Sequence, residues 1–488
     1  MPTLQLFYHH LTNHIVPGPQ SISYFVPLLL KPLALLIPRS ILARWQSVLI
    51  FMPIIVACTV HAWWCMGGVD VISVDGLLWA FFLLVFKDPW RDFRWVGSST
   101  QPGKQSSRQG PGVVKAPTGL PEADGVGGLS EQTVLIQPAT PQSEAKLGVK
   151  TTPRSKKENE ESYPSTLWKR LPWVGTLVIS IRLNNWRVNS PSHDRYQPPL
   201  PAFKSRTSFV CYALFCFVRG YLVLDLTRAY ISYDLYFTDT TVSITSLLPF
   251  KSLRYVPPQL VRSMVVGAQA WALISQMFYL PCLLPIGLHA LGWLKDEWSP
   301  HNWPTYFGSP MVIFKHGIRG FWGRYWHQTM RWSVSGPGYA LADALHLRSS
   351  GLARYLVITT IAFGLSGTVH MGLVPPEPLH ATVNFNTIRL CVAGFFWVQP
   401  IAMLFEMLIT RLAARTGGPI YRTASVLEPR MLINAIWVVT WFSLCLPLLG
   451  EAGRQMGYWR VWPVPVSLWK GIRREGWIAW PVLQSGAS

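Results

Sequence analysis

The stretch GLARYLVITTIAFGLSGTVHMGLV, residues 351–374, is apolar and long enough to cross a lipid bilayer as one helix. It carries His370 near its end. An ionisable side chain at membrane depth costs free energy, so this histidine indicates a functional site. Similar apolar runs recur along the chain and predict further membrane helices. They are Ile22–Ile37, Gln46–Met66, Leu77–Phe86, Ser208–Leu226, Val261–Leu288, Ile388–Leu408 and Met431–Leu449.

The composition of the 488-residue chain is typical of a membrane protein: 50% of the residues are hydrophobic, 14% are charged, and the mean hydropathy is +0.24. Soluble proteins carry about 25% charged residues. We therefore predict an all-α polytopic membrane protein with about seven to nine transmembrane helices. The formal net charge of +20 fits basic loops that face the cytoplasm and anionic membrane lipid. We expect lipid, and no nucleic acid, as a partner.

Changes in composition divide the chain into four parts. Residues 1–95 hold N-terminal membrane segments, which end in the Trp- and Arg-containing stretch Lys87–Trp95, typical of a membrane interface. Residues 96–166 are rich in Gly, Ser, Pro, Gln and Thr and are predicted to be a disordered insertion. Residues 167–450 are predicted to form a membrane core that starts with an amphipathic element lying on the membrane surface. Residues 451–488 form a short tail.

A second chemical signal is the aromatic and basic stretch FWGRYWHQTMRW, residues 321–332. If this stretch is a helix, Trp322 and Trp326 share one face, and His327 and Arg331 share another. The permanent cation of Arg331 would then disfavour protonation of His327. The alternative is a helix at the membrane interface in which the histidine has no chemical function.

His370 is preceded by the small residues Gly364, Ser366 and Gly367, which let a neighbouring helix or a ligand approach closely. A buried histidine away from water stays neutral, so it is a credible general base towards a hydroxyl group. The alternative is a packing histidine with one backbone partner. The seven cysteines show no CxxC spacing, and no metal site is predicted.

Three motifs in order carry a family resemblance: WPxxFG at Trp303–Gly308, FWGRxWHQxxR at Phe321–Arg331, and SGxxH at Ser366–His370. Together they resemble the wax synthase-like branch of the membrane-bound O-acyltransferases. The KDPWRDFRW element at Lys87–Trp95 resembles the fungal members of that branch. The resemblance implies a membrane-bound O-acyltransferase-like fold of many helices, with residues 167–450 as the acyltransferase membrane core.

The resemblance also implies an activity, the transfer of an acyl group from acyl-CoA to an alcohol. The fungal relatives most similar in length and motif are acetyltransferases of terpenoid and meroterpenoid pathways. This implies acetyl-CoA as co-substrate, a small-molecule alcohol of that class as acceptor, and no bound cofactor or metal. A multi-pass location in the endoplasmic reticulum is expected. The alternatives are a long-chain wax-ester synthase acting on fatty alcohols and a membrane transporter, which also buries polar residues at membrane depth.

By this resemblance His370 matches the catalytic histidine and His327 the second polar residue of the site. The resulting hypothesis is that His370 takes the proton of the acceptor hydroxyl while His327 hydrogen-bonds the reacting groups or the developing oxyanion. The loop charges place His327 on the cytoplasmic side and His370 near the luminal end of its helix. The two can share a cavity only if residues 311–332 dip into the membrane or if the helix that carries His370 is tilted.

Four further residues of the central motif are predicted to form the acyl-CoA site. Arg324 and Arg331 are expected to attract the CoA phosphates, because guanidinium groups pair with phosphate oxygens. Trp326 and Gln328 are expected to complete the site. Family members commonly carry a second Arg where this chain has Tyr325.

Overall fold

The computed structural model describes residues 19–65, 69–96, 160–183, 185–188, 203, 205–294, 298–349, 351–374, 384–416 and 429–480. Over these residues the chain is mainly helical. The helices are α1 (Pro19–Leu36), α2 (Arg44–Cys65), α3 (Val71–Ala80), α4 (Pro89–Asp92), α5 (Leu167–Ile179), α6 (Arg206–Tyr233), α7 (Pro258–Tyr279), α8 (Leu283–Ala290), α9 (Met311–Gly320), α10 (Arg331–Ala344), α11 (Leu352–Met371), α12 (Phe385–Trp397), α13 (Gln399–Thr416), α14 (Pro429–Gln455) and α15 (Leu468–Ile472). The strands are β1 (Phe93–Val96), β2 (Glu160–Glu161) and β3 (Trp186–Val188).

The apolar runs form helices, as predicted. Within the described residues, six helical segments are long and apolar enough to cross a membrane, and two shorter apolar helices accompany them. The six are Arg44–Cys65, Arg206–Tyr233, Pro258–Ala290, Leu352–Met371, Phe385–Leu412 and Pro429–Gln455, and the shorter two are Ile22–Leu36 and Val71–Phe86. The prediction of an all-α polytopic membrane protein is confirmed, and the six candidate spanning helices are roughly consistent with the expected seven to nine.

Helices α10, α11 and α12 pack side by side and place the candidate site. Glycines allow the close approach. A Cβ on Gly338 of α10 would lie 2.9 Å from the Cα of Ile358 in α11, and a Cβ on Gly367 of α11 would lie 2.5 Å from the Nε1 of Trp397 in α12. Small residues at helix crossings are the usual way in which membrane helices pack closely.

The N-terminal helices share a core with the three-stranded antiparallel sheet and α5. Phe93 of β1 is 1% exposed, and its ring packs edge-on against Phe82 and Trp186. Asp88 pairs with Arg39 at 3.1 Å. The Lys87–Trp95 stretch, which we expected to anchor the chain at the membrane interface, is thus partly built into the protein core, because its alternate side chains face inward from a strand.

The structure describes residues at both ends of the predicted insertion, 96–166. Residues 97–159 lie outside the described residues. Glu160–Glu161 form β2, which pairs with β1 so that Val96 lies opposite Glu160. The Tyr163 hydroxyl donates to the Leu35 carbonyl at 2.9 Å. Residues 160–166 therefore belong to the folded protein, because the backbone of β1 and the end of α1 offer them hydrogen-bond partners.

We expect that deletion of residues 100–155 leaves a folded protein with the acyl transfer predicted from the sequence, because Val96 and Glu160 already lie opposite each other and a short loop can join antiparallel strands. The measurements are the amount of protein in the membrane fraction and its turnover. Deletion of 100–163, which also removes β2 and Tyr163, is the control and should lower the amount of folded protein. Loss of turnover in a well-expressed 100–155 deletion would contradict the expectation.

The stretch 321–332 is not one helix, and the prediction of two helical faces is wrong. Residues Phe321–Tyr325 form a π-helical turn that extends α9, Trp326 is extended (φ −61°, ψ 151°), and α10 starts at Arg331. The break is stabilised from outside the stretch. The N–H of Gly308 donates to the Tyr325 carbonyl at 2.8 Å, and there is no room at Gly308 for a side chain beside the Arg324 carbonyl.

A second constraint on this stretch is Gly317 in α9, with φ 62° and ψ −141°, a conformation that essentially only glycine adopts. The Glu406 carboxylate of α13 accepts the next two backbone N–H groups, from Ile318 at 2.5 Å and Arg319 at 3.0 Å. The kink therefore exists because a buried carboxylate replaces helical hydrogen bonds. It directs the chain into the segment that carries His327.

We expect Gly317→Ala to destabilise the protein by about 1–3 kcal/mol, the cost of a residue in a disfavoured backbone region. The added Cβ would also collide with Glu406. The readout is the thermal midpoint in detergent. Gly287→Ala in α8, where a Cβ meets nothing within 4 Å, is the matched control and should change little. Equal midpoints for the two variants would show that the kink is not constrained as described.

Candidate active site

The candidate site is a cavity of about 300 Å³ between the Trp322–Met330 segment, α10 and α11, and Phe396 and Met403 also line it. His327 and His370 both line it, although 43 positions separate them in the sequence. The proposed roles of the two histidines require that they share one cavity in this way. None of the described residues that line the cavity is acidic.

His370 lies one residue before the end of α11, and its orientation defines its chemistry. Its Nδ1 is 2.7 Å from the Ser366 carbonyl oxygen, one helical turn earlier. A carbonyl only accepts, so Nδ1 carries the proton and Nε2 carries the lone pair. The ring also stacks on Phe396 at 4.0 Å between centroids. The SGxxH motif thus fixes the imidazole as a proton acceptor at Nε2.

His327 lies in the segment between the π-helical turn and α10. Its ring is nearly parallel to that of Tyr306, with 5.6 Å between centroids. Its Nδ1 is buried without a hydrogen-bond partner among the described residues. Burial lowers the pKa of His327 to about 3, with smaller contributions from His370 and Arg182. The imidazole is therefore neutral at physiological pH and has hydrogen-bonding capacity to spare.

The neutral state of His327 thus has a different cause from the one predicted. From the sequence we predicted that the cation of Arg331, one helical turn away, disfavours protonation of His327, but the two residues are not on one helix. The Arg331 Nη1 donates instead to the Gly323 carbonyl at 3.2 Å and to the Oε1 of Gln328 at 3.0 Å. Desolvation of the imidazole is the main cause.

The four residues predicted for the acyl-CoA site fall in different places. Trp326, Gln328 and Arg331 line the cavity. Gln328 is buried, and its Nε2 donates to the carbonyls of Trp322 at 3.1 Å and Trp326 at 2.6 Å. It therefore stabilises the irregular backbone around His327.

Arg324 is the one predicted residue that the structure does not bring to the cavity. Its side chain is exposed, and its Nη1 lies 3.1 Å from the Nε2 of His316 in α9. Arg324 belongs to the π-helical turn Phe321–Tyr325, and it is not among the residues that line the cavity. Its predicted contact with the CoA phosphates has no support from its placement.

Two polar residues that the sequence analysis missed position the site. Gln399, which is 0% exposed, accepts from the indole N–H groups of Trp322 and Trp441, each at 3.0 Å. Glu406 binds the backbone after Gly317, as described above. Both interrupt the apolar run Ile388–Leu408, and a polar side chain inside such a run was the available signal.

Comparison with known proteins gives the same family as the motifs. The family model of the membrane bound O-acyl transferase family matches residues 303–375, which include all three motifs from Trp303 to His370. Among curated proteins, acetyltransferase pyr8 of Aspergillus fumigatus is 29% identical over 321 residues, 62% of this chain and 69% of its own length. No solved structure matches.

Two further fungal relatives agree. Acetyltransferase eriL of Hericium erinaceus is 24% identical over 317 residues, 64% of this chain and 74% of its own length. Acetyltransferase nanB of Aspergillus nanangensis is 29% identical over 164 residues, 30% of this chain and only 34% of its own length. The resemblance to membrane-bound O-acyltransferases and to fungal acetyltransferases is confirmed. A family of this kind works with an acyl donor and an acceptor.

Proposed function

We propose that this protein is a membrane-bound O-acyltransferase that moves an acetyl group from acetyl-CoA to a hydroxyl of a terpenoid or meroterpenoid alcohol, in the endoplasmic reticulum membrane. One observation carries the proposal. Within the region that resembles the family, two histidines line one cavity, and the bond from the His370 Nδ1 to the Ser366 carbonyl leaves Nε2 available as the proton acceptor.

The transfer follows from this arrangement. His370 Nε2 takes the proton of the acceptor hydroxyl as the oxygen attacks the thioester carbonyl. The neutral His327 donates an N–H to the oxyanion of the tetrahedral intermediate. The carbon–sulfur bond then breaks, and the CoA sulfur leaves with the proton held by His370. The products are the acetyl ester and CoA, and no covalent acyl-enzyme forms.

The size of the cavity favours a short acyl group. Its volume of about 300 Å³ is at the lower end for small-molecule sites, which range over about 300–1,000 Å³. An acetyl group leaves most of this space for part of the acceptor. The names of the fungal relatives agree with acetyl transfer.

The test compares donors in microsomes that contain the full-length protein, with one terpenoid alcohol as acceptor. Acetyl-CoA should support ester formation, and palmitoyl-CoA should support little or none. Faster transfer from palmitoyl-CoA would favour the long-chain alternative. Absence of ester with either donor, across a panel of terpenoid and fatty alcohols, would leave the transporter alternative.

A further inference from the structure

A second cavity, of about 430 Å³, lies next to the first. Tyr306 connects the two, because its ring stacks on His327 and also lines the second cavity together with Thr329. The walls of the second cavity are aromatic and polar, with Trp95, Trp298 and Trp303 among them. Its only charged lining residue among those described is Arg182.

Two buried donors lie in this wall without partners. Arg182 donates from Nη1 to the Thr305 carbonyl at 3.1 Å, but its Nε is buried with no partner among the described residues. The Nδ2 of Asn185 is buried and unpartnered in the same way. Buried donors in native proteins are almost always hydrogen-bonded, and these two donors are available to a ligand that accepts hydrogen bonds.

The turn that presents these donors is strained. Leu183 and Asn185 have positive φ values of 51° and 60°, which are uncommon for residues other than glycine. Contacts on both sides hold the turn in place. Trp186 is buried in β3, and the indole N–H of Trp332 in α10 donates to the Arg182 carbonyl at 3.2 Å. Strained backbone of this kind concentrates at functional sites.

We infer that the second cavity binds the phosphorylated nucleotide end of the acyl donor. Arg182 and Asn185 donate to phosphate oxygens, and the tryptophan rings offer faces for the adenine. The acceptor alcohol carries no anion and fits the first cavity, which lies among the membrane helices. The thioester then passes Tyr306 to reach the two histidines. The identity of the donor rests on the proposed function.

The test compares two donors that differ only in the nucleotide. S-Acetylpantetheine carries the thioester of acetyl-CoA without any phosphate. Arg182→Met should raise KM for acetyl-CoA by about 10–100-fold, the loss of a charge-assisted hydrogen bond, and lower kcat/KM for S-acetylpantetheine far less. Arg91→Met, a change at an exposed arginine of the same region, is the control and should leave both unchanged. An equal loss with both donors would overturn the inference.

A second variant covers the possibility that Arg182→Met does not fold. Asn185→Asp keeps the shape of the side chain and tolerates the positive backbone φ, but it replaces the Nδ2 donor with a negative charge. It should raise KM for acetyl-CoA and not for S-acetylpantetheine. Unchanged KM values for acetyl-CoA in this variant would overturn the inference.

A binding measurement separates this inference from the proposed function. Adenosine 3′,5′-bisphosphate should raise the thermal midpoint of the detergent-solubilised full-length protein, because a ligand of the native state stabilises it. His370→Ala should keep the shift, and Asn185→Asp should lose it. If the native protein transfers no acyl group but shows a thermal-midpoint shift that Asn185→Asp removes, the nucleotide site is supported and the proposed function is refuted. If the native protein is active and Asn185→Asp keeps the thermal-midpoint shift, the nucleotide site is refuted and the proposed function is not.

Discussion

Replacing His370 with Ala is expected to abolish acyl transfer while the protein still accumulates in the membrane. A general base contributes about 10²–10⁴-fold to the rate. No Asp, Glu or Lys lies in residues 351–374, and none of the described lining residues is acidic, so no neighbour replaces the base. The measurement is ester formation from acetyl-CoA, normalised to protein level.

The geometry provides a sharper variant and a matched control. His370→Asn places an amide nitrogen near the position of Nδ1, so it keeps the bond to the Ser366 carbonyl and loses only the proton acceptor at Nε2. It should fold as the native protein does and be inactive. Thr368→Ala, at an exposed position of the same helix, should retain full activity. Near-native turnover in the Asn variant would refute the role of Nε2.

Replacing His327 with Ala is expected to lower kcat by about 10²–10³-fold, the usual loss when one oxyanion donor is removed. Residual activity should remain, since a water molecule in the cavity can replace a donor in part. His327→Asn should be more active than the Ala variant, because an amide keeps one donor and one acceptor. The measurement is kcat at saturating acetyl-CoA.

His327→Phe separates the hydrogen bond from the packing. The phenyl ring keeps the stacking on Tyr306 but has no polar atom. It should accumulate as well as the native protein and be no more active than the Ala variant. If the Phe variant were active and the Asn variant inactive, the ring would serve only to pack against Tyr306, and the oxyanion role would be wrong.

The helices of the fold could be predicted because a membrane segment must satisfy its own backbone hydrogen bonds, and apolar runs therefore report helices directly. His370 could be singled out from the sequence because an ionisable group is rare inside such a run. The C-terminal boundary of the insertion could not be predicted. Glu160 and Tyr163 fold onto β1 and α1, and their partners are far away in the sequence.

The interior of the site was harder to predict for the same reason. The chain leaves the helix at Trp326 because Gly308 and Glu406 hold the backbone on either side, and neither is local to the motif. The prediction that His327 and Arg331 share one helical face failed for this reason. The donors of the second cavity, Arg182 and Asn185, come from irregular backbone around Leu183, and no periodic pattern in the sequence could indicate it.

In the proposed mechanism, two histidines in one cavity transfer the acyl group from acyl-CoA straight to an alcohol. Single-turnover transfer by the purified full-length protein, with acetyl-labelled acetyl-CoA and a terpenoid alcohol, distinguishes this route from one through an acyl-enzyme. We predict that ester and free CoA appear together in equal amounts, that no label stays on the protein, and that His370→Asn forms neither product. Label retained on the protein in the absence of alcohol, or ester formed at the native rate by His370→Asn, would contradict the mechanism.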